Sequence, residues 1–464
     1  MRAIGLGRVG GCTAMLAAAC LLSVGVGDAS AADPRPNVVI VLTDDQRIGT
    51  VRRMPALWNL IRRNGVMFRR AMVPTALCCP SRASILTGLY AHGTQVYSNQ
   101  LPYGAWETFH EQGLEERTIA VALHEAGYRT GLVGKYMNGG FKTQAAAGYV
   151  PPGWDHLLTF TDHHGYYNYS LTDGTTHGSL PRDYSTDVLR KGAVRFIRTA
   201  PAEQPLFLLF SPFAPHRPFI PAPRHKGYWT GRLPSYRPPS VAEDVSDKPP
   251  WVSKYLRVRQ SRIDAKLALA QESLMAVDDA VGAIVKALTD TGRMSNTLFV
   301  FLSDHGLLMG EHHLFQWKGV PYRLSASIPM MLRWDGHVRP DSTNRRLVLN
   351  IDLAVTVANA AGVSMSTEGL DLLGPERRDG FPVEGTRRFR FDSLPDHPAY
   401  CGYRTREWLY VQYATGEQEL YSYEADPHEL QNLAGRARYR SRLASLRAQA
   451  QAACSPVPPE FAWP

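Results

Sequence analysis

The chain has 464 residues, of which 44% are hydrophobic and 10% aromatic. This composition supplies material for a large core and excludes a chain that is disordered over long stretches. The formal net charge is +9, but the basic residues are scattered and no nucleic-acid-binding motif accompanies them. The charge therefore favours an anionic substrate, and we expect no nucleic-acid partner.

Residues 1–31 predict a secretory signal peptide. Arg2 and Arg8 form a basic start, an apolar Ala-rich stretch follows, and residues 29–31 form a small-x-small cleavage site. We expect a secreted, extracellular protein that begins near Ala32. The alternatives are an uncleaved membrane anchor, for which the stretch is short, and a lipoprotein anchored at Cys20, whose preceding residues match that signal poorly. No later run is apolar enough to span a bilayer.

Four nearly continuous apolar runs predict buried strands, at residues 37–43, 130–134, 205–210 and 297–302. Helical patterns lie between and around them, at residues 55–64, 82–86, 116–126, 187–198 and 267–288. This alternation predicts an α/β fold with a parallel sheet that is covered by helices on both faces.

Polar residues follow directly on these predicted strands. They are Asp44 and Asp45, Lys135, residues 211–216, and Asp304 with His305. Ligands of open α/β sheets bind at the carboxyl ends of the strands. We therefore expect these side chains to face one crevice.

Cys78 and Cys79 begin the segment Cys-Cys-Pro-Ser-Arg, followed by Leu-Thr-Gly at 86–88. Adjacent cysteines do not usefully bridge each other and lack the spacing of a zinc site. Taken alone, they are equally well interpreted as a buried pair before a helix that Ser81 caps. The residues alone do not say which cysteine matters.

The same segment resembles the signature of the type I sulfatases. In that family the first cysteine of the motif, here Cys78, is oxidised to formylglycine (3-oxoalanine) by a separate formylglycine-generating enzyme. Arg82 matches the arginine of the motif. The resemblance implies an alkaline-phosphatase-like sandwich, in which a large, mostly parallel sheet lies between helices and a small antiparallel subdomain follows.

The resemblance also implies a metal site formed by Asp44, Asp45, Cys78, Asp304 and His305. An isolated Asp-Asp pair is more often a helix cap or a surface feature. Carboxylates buried together at strand ends repel each other and need a cation. Oxygen-rich ligand sets favour hard cations, so we expect Ca²⁺, with Mg²⁺ as the alternative.

Three further residues match substrate-binding and catalytic positions of the family. Lys135 lies in Gly-Lys-Tyr-Met-Asn, His216 in Pro-His-Arg-Pro, and Lys318 after Gln-Trp. His312 and His313 are interpreted as loop residues. Where many arylsulfatases have a histidine, this chain has Met137. That departure, the segment at 149–154 and the cysteine doublet resemble the N-acetylglucosamine-6-sulfatase and heparan-sulfatase branch.

The reaction that this resemblance implies is hydrolysis of a sulfate monoester, on a sulfated small molecule or a glycan such as a glycosaminoglycan. The hydrated formylglycine, a geminal diol, attacks sulfur with help from the cation and Arg82. Lys135 and Lys318 hold the sulfate, and His216 or Lys318 protonates the departing alcohol. The alternatives are a phosphomonoester, phosphodiester or phosphonate hydrolase of the same superfamily, and an inactive relative that binds sulfated glycans.

The pattern changes near residue 362. We expect a catalytic domain at 32–361 and a smaller subdomain at 362–464, with strands at 408–413 and 419–423 and a terminal helix at 439–452. Export permits a disulfide, and Cys401 with Cys454 is the expected pair.

Overall fold

The structure is a computed structural model that describes residues 35–387 and 396–464. The predicted signal peptide, residues 1–31, lies outside the described residues. Among the described residues, no helix has both the length and the apolar character that crossing a bilayer requires.

The strands follow one another along the chain as β1 (Asn37–Thr43), β2 (Val66–Met72), β3 (Arg129–Gly134), β4 (His156–Leu158), β5 (Tyr169–Ser170), β6 (Thr176–His177), β7 (Leu206–Ser211), β8 (Thr297–Ser303), β9 (Leu308–Met309), β10 (Phe315–Trp317), β11 (Met330–Arg333), β12 (Ser342–Leu349), β13 (Gly380–Gly385), β14 (Tyr400–Thr405), β15 (Trp408–Tyr413) and β16 (Gln418–Ser422).

The α-helices are α1 (Cys78–Thr87), α2 (Ala91–Thr94), α3 (Ala105–Glu111), α4 (Ile119–Glu125), α5 (Phe141–Ala146), α6 (Ser185–Arg198), α7 (Pro250–Ser253), α8 (Gln260–Asp290), α9 (Arg323–Ala326), α10 (Asp352–Ala361) and α11 (Arg440–Ala453). The helix expected at 55–64 forms as a π-helix over Leu57–Arg62.

An eight-stranded sheet in the order β12-β2-β11-β8-β1-β7-β3-β4 forms the centre of the molecule. All its neighbouring strands run parallel except for β11, which is antiparallel to both β2 and β8. The predicted α/β class with a mostly parallel sheet is confirmed, as are the four predicted core strands.

The alternation of side chains along β1 divides the core into two layers. Val38, Ile40 and Leu42 point into one layer, which holds apolar residues of α1, α3, α4 and α10. Val39 and Val41 point into the other, which holds α6, α8 and the π-helix. Because helices cover both faces, every residue of β1, β7 and β8 is buried.

A four-stranded antiparallel sheet, β13-β14-β15-β16, lies toward the C-terminus, as expected. Its strands β15 and β16 match the predicted pair, and α11 packs on it through Leu446 and Ala450. Cys401 on β14 and Cys454 just after α11 form a disulfide, which confirms the expected pairing.

Candidate active site

The sheet brings the predicted polar residues together at one edge. Asp44 and Asp45 follow β1, and the neighbouring strands β7 and β8 end immediately before Pro212 and Asp304. Asp45 has φ +64, a left-handed conformation that aspartate tolerates better than most residues. Because this turn interrupts the alternation of side chains between the two faces of the sheet, the carboxylates of Asp44 and Asp45 are both buried at the same edge.

Cys78 is the first residue of α1 and is fully buried among these groups. Its Sγ lies 3.3 Å from His305 Nε2, 3.2 Å from Lys318 Nζ and 3.7 Å from Asp44 Oδ1. Burial alone would raise the pKa of Cys78, but Lys135 and Lys318 outweigh it, so the pKa is lowered. The thiol therefore sits in a positive local field.

Cys79 has the opposite environment. Its Sγ accepts a hydrogen bond from the Asn138 backbone N–H at 3.2 Å, and its own N–H donates to Asn99 Oδ1 at 2.8 Å. Burial raises the pKa of this thiol to about 12. The geometry thus separates the two cysteines: Cys79 is a packed structural residue, whereas Cys78 faces the polar centre.

Each carboxylate at the centre has a basic partner. Lys135 Nζ lies 2.5 Å from Asp44 Oδ2, Lys318 Nζ lies 2.7 Å from Asp45 Oδ1, and Arg82 Nε lies 3.0 Å from Asp304 Oδ2. All six side chains are almost completely buried. The charges of the three pairs cancel, so a bound divalent cation would leave the site net positive and suited to an anionic substrate.

The residues fit a hard cation. One ligand atom from each of Asp44, Cys78, Asp304 and His305 lies within 4.8 Å of the others, and the same is true of Asp44, Asp45 and His216. Asp45 Oδ2 is buried without a hydrogen-bond partner among the described residues. A buried carboxylate oxygen needs a hydrogen bond or a cation. His305 is oriented by its Nδ1, which lies 2.8 Å from Gly306 O.

His216 lies at the open side of this cluster. Its Nε2 is 3.6 Å from Asp45 Oδ2, and the Tyr166 hydroxyl donates to its backbone carbonyl at 2.7 Å. Burial lowers the pKa of His216 to about 4, and the Lys318 ammonium adds to this effect. The ring is therefore neutral near pH 7.

Arg82, the fifth residue of α1, contacts residues at the ends of three strands. Beside its contact with Asp304, it donates to the Lys135 backbone carbonyl at 2.9 Å and to Ser211 Oγ at 2.8 Å. A guanidinium with several fixed donors is well suited to this role. These three contacts position the ends of β3, β7 and β8, and Arg82 also lies 3.6 Å from Asp44 Oδ2, just after β1.

A cavity of about 380 Å³ adjoins the cluster. Asn99 and Asn138, which hold Cys79, line it together with Lys142 and His164. Buried polar atoms without a hydrogen-bond partner among the described residues occur on Asn138 and His164. Burial lowers the pKa of Lys142, and the Lys135 ammonium adds to that effect.

All nine predicted site residues are brought into one cluster. The sequence interpretation placed Ser211 at the crevice but gave it no contact with Arg82, and it missed Tyr166 and the lining of the cavity, because nothing in the local sequence distinguishes them. It also described His312 incompletely. That residue lies in a 3₁₀ turn, is buried, and bonds through Nδ1 to Glu243, so its role is to hold the fold.

Comparison with protein families gives two matches. The family model described as Sulfatase matches residues 36–363, and the model described as N-sulphoglucosamine sulphohydrolase, C-terminal, matches residues 310–454.

Curated relatives agree with these matches. The chain is 30% identical to N-acetylglucosamine-6-sulfatase of the goat, Capra hircus, over 89% of this chain and 82% of that protein. It is 31% identical to the extracellular sulfatase SULF-1 homolog of Drosophila melanogaster over 72% of this chain, but it spans only 30% of the length of that relative.

Solved structures share the fold. A protein in complex with its substrate D-glucosamine-2-N,6-O-disulfate has a TM-score of 0.78 at 20% identity, over 91% of this chain and 98% of that one. The phosphonate monoester hydrolase of Silicibacter pomeroyi has a TM-score of 0.73 at 22% identity, over 91% and 96%. The expected alkaline-phosphatase-like sandwich is confirmed.

Proposed function

Because this chain belongs to the sulfatase family, we propose that it is an enzyme that hydrolyses sulfate monoesters of sulfated sugars. The observation that carries the proposal is the buried cluster around Cys78, in which three carboxylates, two lysines and an arginine surround the thiol. A sulfate ester needs a nucleophile, charge neutralisation and a proton for the leaving oxygen, and this cluster supplies groups for each.

Residue 78 is the proposed site of formylglycine, which a maturation enzyme forms from Cys78. When present and hydrated, that group supplies the hydroxyl nucleophile and a second hydroxyl for turnover. The adjacent residues support this assignment. Lys318 Nζ lies 3.2 Å and His305 Nε2 lies 3.3 Å from the Cys78 Sγ, so both groups are placed to hold an oxygen at that position.

A divalent cation would be held by Asp44, Asp45, residue 78, Asp304 and His305. Such an ion lowers the energy of a neighbouring oxyanion and polarises sulfate oxygens. The ligand oxygens are hard donors, and we propose Ca²⁺, with Mg²⁺ as the alternative. The unpartnered Asp45 Oδ2 supports an ion at this place.

The basic side chains of this chain perform the remaining steps. Lys135 and Lys318 bind sulfate oxygens at the floor of the site, where burial strengthens each contact. Arg82 fixes Asp304 and the Lys135 backbone. Lys318 supplies the proton to the departing sugar oxygen, and the neutral His216 ring at the opening is placed to hold that oxygen. By binding the sulfate oxygens, Lys135 and Lys318 position sulfur opposite residue 78.

The substrate class follows from the cavity beside the cluster. Its amides, the His164 imidazole and the Glu107 carboxylate suit the hydroxyl groups of a sugar, and the Lys142 ammonium suits a second anionic group. The goat relative is named an N-acetylglucosamine-6-sulfatase, and one structural neighbour binds a 2-N,6-O-disulfated glucosamine. We propose a glucosamine 6-sulfate unit of a glycosaminoglycan, with Lys142 beside a second anionic group.

We also propose export through the signal peptide at 1–31. The Cys401–Cys454 disulfide supports it, because disulfides persist in oxidising compartments.

The test compares sulfate release from glucosamine 6-sulfate and an aryl sulfate with phosphate release from an aryl phosphate and an aryl phosphonate. We expect the sulfate esters to be cleaved at higher kcat/KM. Faster cleavage of the phosphorus esters would assign the chain to the alternative hydrolase class, and no turnover with retained glycan binding would make it an inactive relative.

Lys142→Met sharpens this test. We expect a higher KM for glucosamine 2-N,6-O-disulfate and little change for the aryl sulfate, since only the sugar reaches the cavity. The matched control is Lys191→Met on the exposed side of α6, which should change neither value.

A further inference from the structure

A second and larger cavity, of about 840 Å³, lies where β2 and β11 separate. These strands pair only at Met67 with Met331 and at Val66 with Leu332, and they approach again where Met72 bridges Ser327. Pro329 in the intervening stretch has no N–H for a ladder hydrogen bond. None of the nine cluster residues described above lines this cavity.

The wall of this cavity is strongly basic. We call it the arginine groove after its seven lining arginines, which face only two lining acids, Glu407 and Glu424. The arginines are Arg47, Arg52, Arg69, Arg70, Arg323, Arg404 and Arg406.

Most of this charge is not neutralised. Among the described residues, Arg52, Arg69, Arg70, Arg323 and Arg406 have no carboxylate partner within ion-pair distance. Arg47 pairs with Glu311 at 2.8 Å, and Arg404 lies 3.9 Å from Glu429. Burial lowers the pKa of Arg70, and the neighbouring Arg406 and Arg345 lower it further. Arginines held close together repel one another, and a bound anion relieves this repulsion.

Aromatic rings hold three of the guanidinium groups in place. Arg47 lies over Tyr236 at 4.7 Å, Arg52 over Trp58 at 5.5 Å and Arg404 over Tyr423 at 5.4 Å. A cation–π contact orients a guanidinium without cancelling its charge. Of these three, Arg52 is exposed and has no carboxylate partner among the described residues, so it is a pre-positioned cation beside an apolar floor that includes Ile48 and Met330.

We propose that the arginine groove binds a sulfated glycan chain, as a second contact for the polymer whose sulfate ester the active site hydrolyses. The choice of polymer rests on the proposed function, whereas the anion-binding property rests on the groove itself. Arginine forks bind sulfate oxygens in pairs, and the aromatic and aliphatic floor suits the C–H faces of sugar rings. Binding at two places raises the local concentration of the chain at the active site.

The experiment uses the full chain with Arg52→Gln, Arg69→Gln and Arg406→Gln combined. These three side chains are exposed and lie outside the active-site cluster. The control combines Arg195→Gln, Arg438→Gln and Arg440→Gln, which remove the same charge from exposed positions on other surfaces. Thermal midpoints of both variants establish that they fold.

Heparin binding is measured by salt titration in a Cys78→Ala background, where catalysis cannot interfere. We expect the groove variant to bind about tenfold more weakly, with a log K against log salt slope that falls by roughly two to three, as expected for three lost anion contacts. With residue 78 intact, KM for a 6-sulfated heparin chain should rise while kcat/KM for an aryl sulfate stays unchanged.

If the control variant bound heparin as weakly as the groove variant, the inference would be overturned, because heparin binding would then depend on total surface charge and not on the groove. Tighter binding of a single-stranded oligonucleotide or polyglutamate of matched charge would overturn the glycan assignment. If heparin binding depends on the groove but no sulfate ester is cleaved, anion binding by the groove is supported and the proposed sulfatase function is refuted.

Discussion

At the scale of single residues, the site depends on how two adjacent cysteines differ. Cys78 and Cys79 are both buried, but the pKa of one thiol is lowered by Lys135 and Lys318, and that of the other is raised to about 12 by burial. Composition and spacing do not reveal this difference. It arises because α1 starts at Cys78 and directs consecutive side chains about 100° apart.

The two cysteines should therefore respond differently to substitution. We expect Cys78→Ser to lose roughly 10³-fold or more in kcat, because serine lacks the second hydroxyl that the proposed turnover needs. Cys79→Ala should keep most activity and lower the free energy of unfolding by about 1–2 kcal/mol through lost packing. Sulfate release and chemical unfolding measure these effects, and wild-type turnover by Cys78→Ser would refute the assignment.

The sequence motifs were sufficient to predict the nine cluster residues but not their surroundings. A buried strand followed by Asp-Asp or Asp-His can be recognised from the sequence, because the apolar run and the polar pair are adjacent in the chain. Ser211 reaches Arg82, and Asn99 reaches Cys79, from segments that are distant in the chain. Contacts of that kind depend on the assembled sheet and leave no local pattern.

At the scale of elements, the central strands were predictable and the flanking ones were not. β1, β7 and β8 are uniformly buried, so they consist of continuous apolar runs. β2 and β12 carry Arg69, Arg70, Arg345 and Arg346, which made these strands unrecognisable from hydrophobicity. Arg69 and Arg70, which interrupt the apolar pattern of β2, also line the arginine groove.

The end of β3 depends on a glycine. Gly134 has φ +118, and a Cβ there would lie 2.1 Å from the Ser211 carbonyl oxygen. Gly134→Ala should push Lys135 away from Asp44, lowering kcat/KM by roughly 10²-fold and the free energy of unfolding by about 1–3 kcal/mol.

The matched control is Gly148→Ala, since Gly148 has φ +90 but nothing within 4 Å of the added Cβ. It should cost about 1 kcal/mol of stability and leave the kinetics unchanged. Similar kinetic losses in both variants would show that the contact with Ser211 is irrelevant to Lys135.

An ion-pair network links α2 to β13. His92 Nδ1 lies 2.7 Å from Glu384 Oε1, and its Nε2 lies 3.4 Å from Glu368 Oε1. Burial disfavours the charged ring, but hydrogen bonds to Glu368 and Glu384 outweigh it and raise the pKa of His92 to about 10. The folded pKa exceeds the unfolded value of about 6.5, so the stabilisation is complete below pH 6.5 and disappears as pH rises through 10.

His92→Gln should accordingly lower the free energy of unfolding by about 2 kcal/mol at pH 6. The difference in thermal midpoint from the wild type should shrink steadily between pH 6.5 and pH 10. His124→Gln, at an exposed position, is the control. A difference that is independent of pH would contradict the charged state of His92.

At the scale of the whole molecule, the two sheets share one core. Phe381, Val383 and Leu409 of the antiparallel sheet belong to the same buried cluster as Val38 and Ile40 of the central sheet. We propose the division into a catalytic domain at 32–361 and a subdomain at 362–464 as a description of topology. The shared core indicates that the two parts unfold together.

The Cys401–Cys454 disulfide closes a stretch of 53 residues at the end of the chain. By loop entropy, it should contribute about 4 kcal/mol to the free energy of unfolding. Reduction, or the double variant Cys401→Ala with Cys454→Ala, should lower the thermal midpoint while leaving kcat at 25 °C unchanged. An unchanged midpoint would mean that the packing of α11 alone holds this subdomain.

The central claim is that residue 78 carries the chemistry as formylglycine. The most direct measurement is the mass of the proteolytic peptide that contains position 78, from protein purified from its native host, together with sulfate release from glucosamine 6-sulfate by the same preparation. We predict a mass about 18 Da below that of the cysteine peptide, for replacement of SH₂ by oxygen, and activity that scales with the modified fraction. Sulfate release by protein in which Cys78 is entirely unmodified would contradict the account.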